Sequence, residues 1–192
     1  TSRTYRSCVA GWRRAAQNFP KGASPISLGT ARGIGQCSSR VYQIVRHQSF
    51  SDTTFLWEVF APDVAKASQP GQFVMLRLHE NGERIPLTIA DFDRRRGTVT
   101  LVIQALGRST REMLAKYREG DWFLDFVGPL GTASHVDEPG HVVLVGGGLG
   151  VAPIYPQARA YKEAGHRVTS IIGFRSKNLV FWQERFREIS DQ

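Results

Sequence analysis

No aspartate or glutamate occurs in the first 51 residues, although that stretch holds Arg3, Arg6, Arg13, Arg14, Lys21, Arg32, Arg40 and Arg46. Residues 52–192 carry 17 basic and 17 acidic side chains, so the formal charge of +8 belongs to the first quarter of the chain. A neutral body argues against a nucleic-acid surface, which needs a concentrated basic patch on the folded part. Cysteine is scarce as well. Cys8 and Cys37 lie 29 residues apart, both in the basic segment, at a spacing that matches no zinc or iron–sulfur pattern. Nothing after Cys37 can form a disulfide or a thiolate cluster. Few cysteines favour a reducing compartment, so a cytoplasmic protein is expected. No apolar run approaches the roughly 20 residues that cross a bilayer, so no membrane span is expected. The 192 residues, 41% apolar and 22% charged, suit one ordinary globular domain or two small ones.

Residues 1–40 lack acids and any sustained period of 2 or 3.6, and read as a basic, disordered tail. A targeting peptide and an arm for an acidic partner are the competing readings. From Val41 the pattern turns to strands: 41–45, 54–60, 72–78 after the Pro70-Gly71 turn, 84–91, 98–106 and 122–127. Within 98–106, Val99, Leu101 and Ile103 share one face. Ser109, with Glu112 three residues on, reads as the N-cap of a short helix to about Tyr117. These elements predict an antiparallel Greek-key barrel over 41–136. A second unit, 137–192, alternates strand 141–145, a helix to Ala164 closed by Gly165, strand 167–173 and helix 180–189. The apolar run His141–Val145 is expected to be buried on both faces. This is an incomplete α/β nucleotide domain, because two strands are too few for a full parallel sheet.

Three stretches carry chemistry. The first is Gly146-Gly147-Gly148-Leu149-Gly150, between a strand and a helix with Pro153 and Pro156 within about its first turn. Bare glycines let a phosphate or ring approach the backbone, and free helix N–H groups add positive potential. The loop is not G-x-G-x-x-G, because Val151 stands at the third glycine. A turn needed only for tight strand-to-helix packing is the plain alternative. The second is Arg84-Ile85-Pro86-Leu87-Thr88 on a strand: a guanidinium for phosphate, a rigid Pro-Leu backbone for a flat ring, and a hydroxyl for a ring nitrogen. The third is Gly107-Arg108-Ser109-Thr110 at a helix start, where hydroxyls and free amides suit an anion. Taken alone, a surface arginine and an ordinary cap explain these two equally well. His79, His135 and His141 are scattered and read as structural or surface groups.

In this order the three stretches resemble the ferredoxin–NADP reductase superfamily. The nearest branch holds the electron-transfer subunit of dihydroorotate dehydrogenase and the small subunits of sulfide dehydrogenase and NADH-dependent ferredoxin–NADP oxidoreductase. Phe126-Val-Gly-Pro-Leu-Gly131 and Gly173-Phe-Arg-Ser-Lys177 resemble that branch too, and the likeness covers residues 42–192. It implies an FAD-containing oxidoreductase subunit moving electrons between NAD(P)H and a partner redox centre. Arg84 and the backbone of Gly107, Ser109 and Thr110 would hold the FAD pyrophosphate. Ile85 lies within the motif, Pro86 and Leu87 would back the isoalloxazine, and Thr88 would act near flavin N5. Gly146 to Gly150 would receive the nicotinamide nucleotide, with Arg175 and Lys177 reaching its adenosine phosphates. A partner catalytic subunit, in a hetero-oligomer, is implied.

Two departures stand out. The branch carries a [2Fe–2S] centre on a cysteine cluster, and no cysteine follows Cys37 here. The second half of the nucleotide domain is also absent, so the chain reads as C-terminally truncated, able to bind FAD but binding NAD(P)H poorly. A basic-armed nucleic-acid barrel and a non-catalytic remnant docked to a partner are the rival readings. Arg84→Ala is expected to weaken FAD binding by about 1.5–3 kcal/mol, the range for a charge-assisted hydrogen bond, as read by titration of the flavin absorbance.

Overall fold

The computed structural model describes residues 42–136 and 138–192, and the readings of the tail at 1–40 lie outside them. Residues 41–192 form one compact unit. Seven antiparallel strands lie in the order β6-β1-β2-β5-β4-β3-β7. They are β1 (Tyr42–Ser49), β2 (Thr54–Phe60), β3 (Phe73–Arg77), β4 (Ile85–Asp93), β5 (Thr98–Gln104), β6 (Trp122–Phe123) and β7 (Asp125–Leu130). β6 pairs with β1 at one edge and β7 with β3 at the other. Leu124 alone separates them, and its N–H donates to the Arg77 and Leu78 carbonyls, both at 3.2 Å. The sheet is thereby nearly closed into a barrel. The expected single strand over 122–127 is corrected to two, because the chain crosses from one sheet edge to the other there. No glycine or proline marks that step.

Alternation fills the barrel. Phe55, Trp57 and Val59 of β2 and Val99, Leu101 and Ile103 of β5 point inward, with Ile44, Val74, Leu76, Ile89 and Phe126 around them. Trp57 is fully buried between the rings of Phe55, Tyr117 and Phe123. Helix α1 (Pro62–Ala67) is an element not expected from the sequence. It spans only six residues, too short to show a period, although Pro62 opens it and Asp63 sits in its first turn. Helix α2 (Arg108–Lys116) follows β5.

The remaining elements are a parallel pair, β8 (His141–Gly147) and β9 (Arg167–Gly173), with helices α3 (Val151–Glu163) and α4 (Gln183–Ile189). Gly165 closes α3 at φ +86°, as a C′ glycine should. Pro156 is the sixth residue of α3, not part of its first turn as expected. A 3-10 turn over Gly148–Gly150 takes up the strand-to-helix connection, so the α-helix proper begins only at Val151. α4 begins at Gln183, not Val180, because Trp182 adopts a left-handed conformation (φ 60°) ahead of it.

The expectation that His141–Val145 is buried on both faces is also corrected. Val142 and Leu144 are half-buried, while Val143 and Val145 are 51% and 68% exposed. Ile171, opposite Val145 on β9, is 53% exposed. The helices cover one face of the pair only. The covered face joins a second core, in which Val151, Ala152, Tyr155 and Ala158 of α3 meet Leu56, Ala90 and Val102 on the barrel's outer side. Trp57→Ala should lower the unfolding free energy by about 3–5 kcal/mol, as measured by chemical denaturation, because it empties the centre of the barrel.

Candidate functional site

Strand alternation decides what β4 offers. Ile85 and Leu87 are half-buried and pack against the barrel core. Pro86 and Thr88 are exposed on the outer face. Directly opposed residues of an antiparallel pair share a face. Pro86, Met75 and Val127 therefore make one row across β4, β3 and β7, and Thr88, Phe73 and Leu130 make the next. The result is a flat apolar platform, with Val127 55% exposed. At its margin Arg77 Nε donates to Asp125 at 2.7 Å. Arg84, just before β4, is exposed and makes no hydrogen bond or ion pair to any described residue.

The turn into α2 lies beside Arg84. Its N-cap is Gly107, a correction to the expected Ser109. Thr110 takes the capping role, because its hydroxyl oxygen accepts the Gly107 N–H at 3.1 Å. Ser109 instead donates its hydroxyl to the Glu83 carboxylate, which draws the turn against the residue preceding Arg84. Glu112, expected to complete a capping box, pairs with Lys116 at 2.9 Å and faces His79 at 3.5 Å. The Lys116 hydrogen bond holds its carboxyl below the usual range. The amides of residues 108–110 have no acceptor within the helix and carry its positive end.

The glycine loop divides into two roles. A Cβ on Gly146 would meet Ile154 Cδ1 at 2.7 Å and Val151 Cα at 3.0 Å, so this glycine serves strand-to-helix packing. A Cβ on Gly147, Gly148 or Gly150 would meet nothing within 4 Å. Gly148, at φ +54°, holds a conformation that other residues rarely adopt. Gly173 pairs with Gly147 across β8 and β9 and is equally open. The carboxyl ends of both strands thus present bare backbone, with Leu149 36% exposed beside it. Arg175 and Lys177 follow Gly173 and are exposed. Lys177 lines a depression of about 350 Å³ with Phe174 and Gln183.

The outer face of β4 also meets α3. Thr88 and Ala90 both face outward on β4, and Ala90 is buried in the core formed by the first turns of α3. The glycine loop opens α3, whose buried face packs on the outer side of the barrel. The Glu83–Ser109 hydrogen bond sets the 107–110 turn beside Arg84, and the platform row begins two residues further along β4. His141 bonds Thr169 at 2.9 Å, and His79 faces Glu112 of α2.

An electron-transfer subunit homologue of dihydroorotate dehydrogenase B (NAD(+)) from Thermotoga maritima is 45% identical over 149 residues, covering 78% of this chain and 52% of its own. The dihydroorotate dehydrogenase B (NAD(+)) electron-transfer subunit of Shouchella clausii is 38% identical over 134 residues, covering 67% and 51%. A solved structure of an NADH-dependent reduced ferredoxin–NADP oxidoreductase, studied for flavin-based electron bifurcation, matches with a TM-score of 0.74 at 43% identity, covering 81% and 56%. This chain belongs to the ferredoxin–NADP reductase superfamily. It falls in the branch of the dihydroorotate dehydrogenase electron-transfer subunits. No family model matches it. The chain spans about half the length of the curated relatives it matches.

Within this superfamily fold, sequence reasoning missed the platform residues Phe73, Met75 and Val127 and the open Gly173. The alternation of 73–77 would have exposed the first two. Their meeting with Pro86 and Val127 depends on pairings between separated strands. The two glycine roles are separable. Gly146→Ala should cost about 1–3 kcal/mol of stability through overpacking, whereas Gly147→Ala should stay within about 0.5 kcal/mol, both read by thermal unfolding.

Proposed function

We propose that this chain is the flavin-binding part, with the beginning of the nicotinamide-nucleotide part, of an oxidoreductase subunit that passes electrons from NAD(P)H through FAD to a partner redox centre. The barrel, 41–136, and the α/β portion, 137–192, act as its two domains, in a cytoplasmic hetero-oligomer with a catalytic subunit. The observation that carries this reading is the unengaged Arg84 guanidinium, which follows Glu83, whose carboxylate accepts from Ser109 at the start of α2, with the apolar row across β4, β3 and β7 beginning two residues on.

Each part fits a piece of a dinucleotide. Arg84 and the amides of 108–110 would hold the FAD pyrophosphate, and the Ser109 hydroxyl's bond to Glu83 keeps that turn beside Arg84. Pro86 and the backbone of Ile85 and Leu87 would lie against the isoalloxazine. The Thr88 hydroxyl would hydrogen-bond at its N5 edge. Bare backbone at Gly147, Gly148 and Gly150 would admit the nicotinamide, beside Leu149, while Gly146 keeps the loop close-packed. Arg175 and Lys177 would meet the adenosine phosphates. Bound FAD would supply the hydride-accepting and one-electron chemistry. The chain's own residues bind, orient and neutralise charge.

The described residues offer no cysteine and no group of three metal-ligating side chains, so they do not fit a [2Fe–2S] centre. The electron acceptor in this proposal lies outside them. The nucleic-acid reading rests on the basic tail, which lies outside the described residues; in the barrel, Arg96 pairs with Glu58 at 2.9 Å and Arg94 donates to the Ser68 carbonyl at 2.7 Å.

The purified chain, refolded with FAD, should be yellow and retain flavin through gel filtration. Absence of the flavin bands would sink the proposal. NADH-to-dye reduction by the loaded chain separates a working electron carrier from a remnant that only docks.

A further inference from the structure

The row of side chains next to the platform is charged. Arg77 ends β3, Asp125 opens β7, and the two are partners in the β3–β7 pairing. Arg77 Nε donates to Asp125 Oδ2 at 2.7 Å, and Nη2 reaches the same oxygen at 2.5 Å. Among the described residues, nothing bonds Asp125 Oδ1 or Arg77 Nη1. A ligand can reach both side chains, which are 23% and 32% exposed. Arg84 belongs to the same row. Leu76 pairs with Ile85 and both point into the barrel, so the next step of the register sets Arg84 opposite Arg77 on the outer face. The row thus runs Arg84, Arg77, Asp125 across β4, β3 and β7, with neighbouring strands about 5 Å apart.

We propose that Arg77, oriented by Asp125, is a second guanidinium for the diphosphate of the flavin dinucleotide, beside Arg84. The inference rests on the proposed flavin reading of β4. Two arginines share one carboxylate in this row, so it carries positive charge in excess. Arg84 has no carboxylate of its own, because Glu83 is engaged by Ser109. Like charges directly opposite on adjacent strands destabilise the pair, and an anion lying across both removes that repulsion. A diphosphate supplies one negative charge for each guanidinium. The charged row stands two residues, about 7 Å, along β4 from the apolar row of Pro86, Met75 and Val127. A flavin with its ring on the apolar row and its phosphates at Arg84 therefore also lies within reach of Arg77. Asp125 does the positioning. With Nε and Nη2 tied to one oxygen, the guanidinium plane is fixed and Nη1 is the free donor. A side chain ordered in advance loses less freedom when the ligand binds.

The test titrates the full chain with FAD at low and at physiological salt, comparing wild type with Arg77→Met, Arg77→Lys and Asp125→Asn. The melting temperature of each is followed without ligand. Arg77→Met should weaken FAD binding roughly 10- to 100-fold, the loss of one charge-assisted hydrogen bond. Its ligand-free melting temperature should stay within about 4 °C of wild type, because a partly exposed ion pair contributes little to stability. Its FAD affinity should also fall less steeply with salt than that of wild type, because one screened contact is gone. Asp125→Asn keeps the guanidinium but frees it, and should lose less, about 3- to 10-fold. Wild-type affinity in Arg77→Met would overturn the proposal, and so would a loss that leaves the salt dependence unchanged. If Arg77→Met does not fold, Arg77→Lys decides. A loss of at least about threefold is then expected, because an ammonium cannot make paired bonds, and wild-type affinity is the overturning result. Failure of the wild-type chain to bind FAD would strike the flavin reading instead.

Discussion

The contact between the outer face of β4 and the first turns of α3 sets where the helix behind the glycine loop sits on the barrel. Ala90 on β4, with Leu56 and Val102 beside it, accepts Val151 and Ala152 in a dry seam. Burial of that apolar surface holds a helix to a barrel that is otherwise complete in itself. The glycine loop has its place only because α3 is seated there, since the loop is the short link between β8 and that helix. Without the seam, β4 and the helix that follows the glycine loop would be two unrelated surfaces.

The barrel and the parallel pair contribute different kinds of order. The barrel is nearly closed at Leu124 and filled by a continuous aromatic and aliphatic core around Trp57, so its outer rows of residues are held at fixed spacing. The parallel pair is covered on one face only and leaves Val143, Val145 and Ile171 open. Rigid presentation of the platform is thus a property of the barrel. Asp91 on β4 joins α3 and α4 to it, because Arg159 and Arg185 both donate to its carboxylate.

Local signals in the sequence were reliable where one element explained them. The alternation of Val99, Leu101 and Ile103, the closing glycine at 165 and the apolar strand before Gly146 all match what the fold contains. They misled where two elements competed for one residue. Ser109 resembles an N-cap, but Thr110 reaches the Gly107 amide and Ser109 is drawn to Glu83. The run at 122–127 reads as one strand, but the barrel closes in its middle. His141–Val145 reads as a strand buried twice over, but the helices cover only one face of it.

From residues alone came the class of the protein, the three loop motifs and the order in which they occur, because turn chemistry, glycine freedom and strand alternation act over a few neighbouring positions. Folding in space decided that Pro86, Met75 and Val127 share a face, that Gly146 packs while Gly147 and Gly148 stay open, and that one carboxylate at Asp91 gathers arginines from two helices. Those relations join positions tens of residues apart. They follow from strand register and from which buried surfaces meet, neither of which has a local signature.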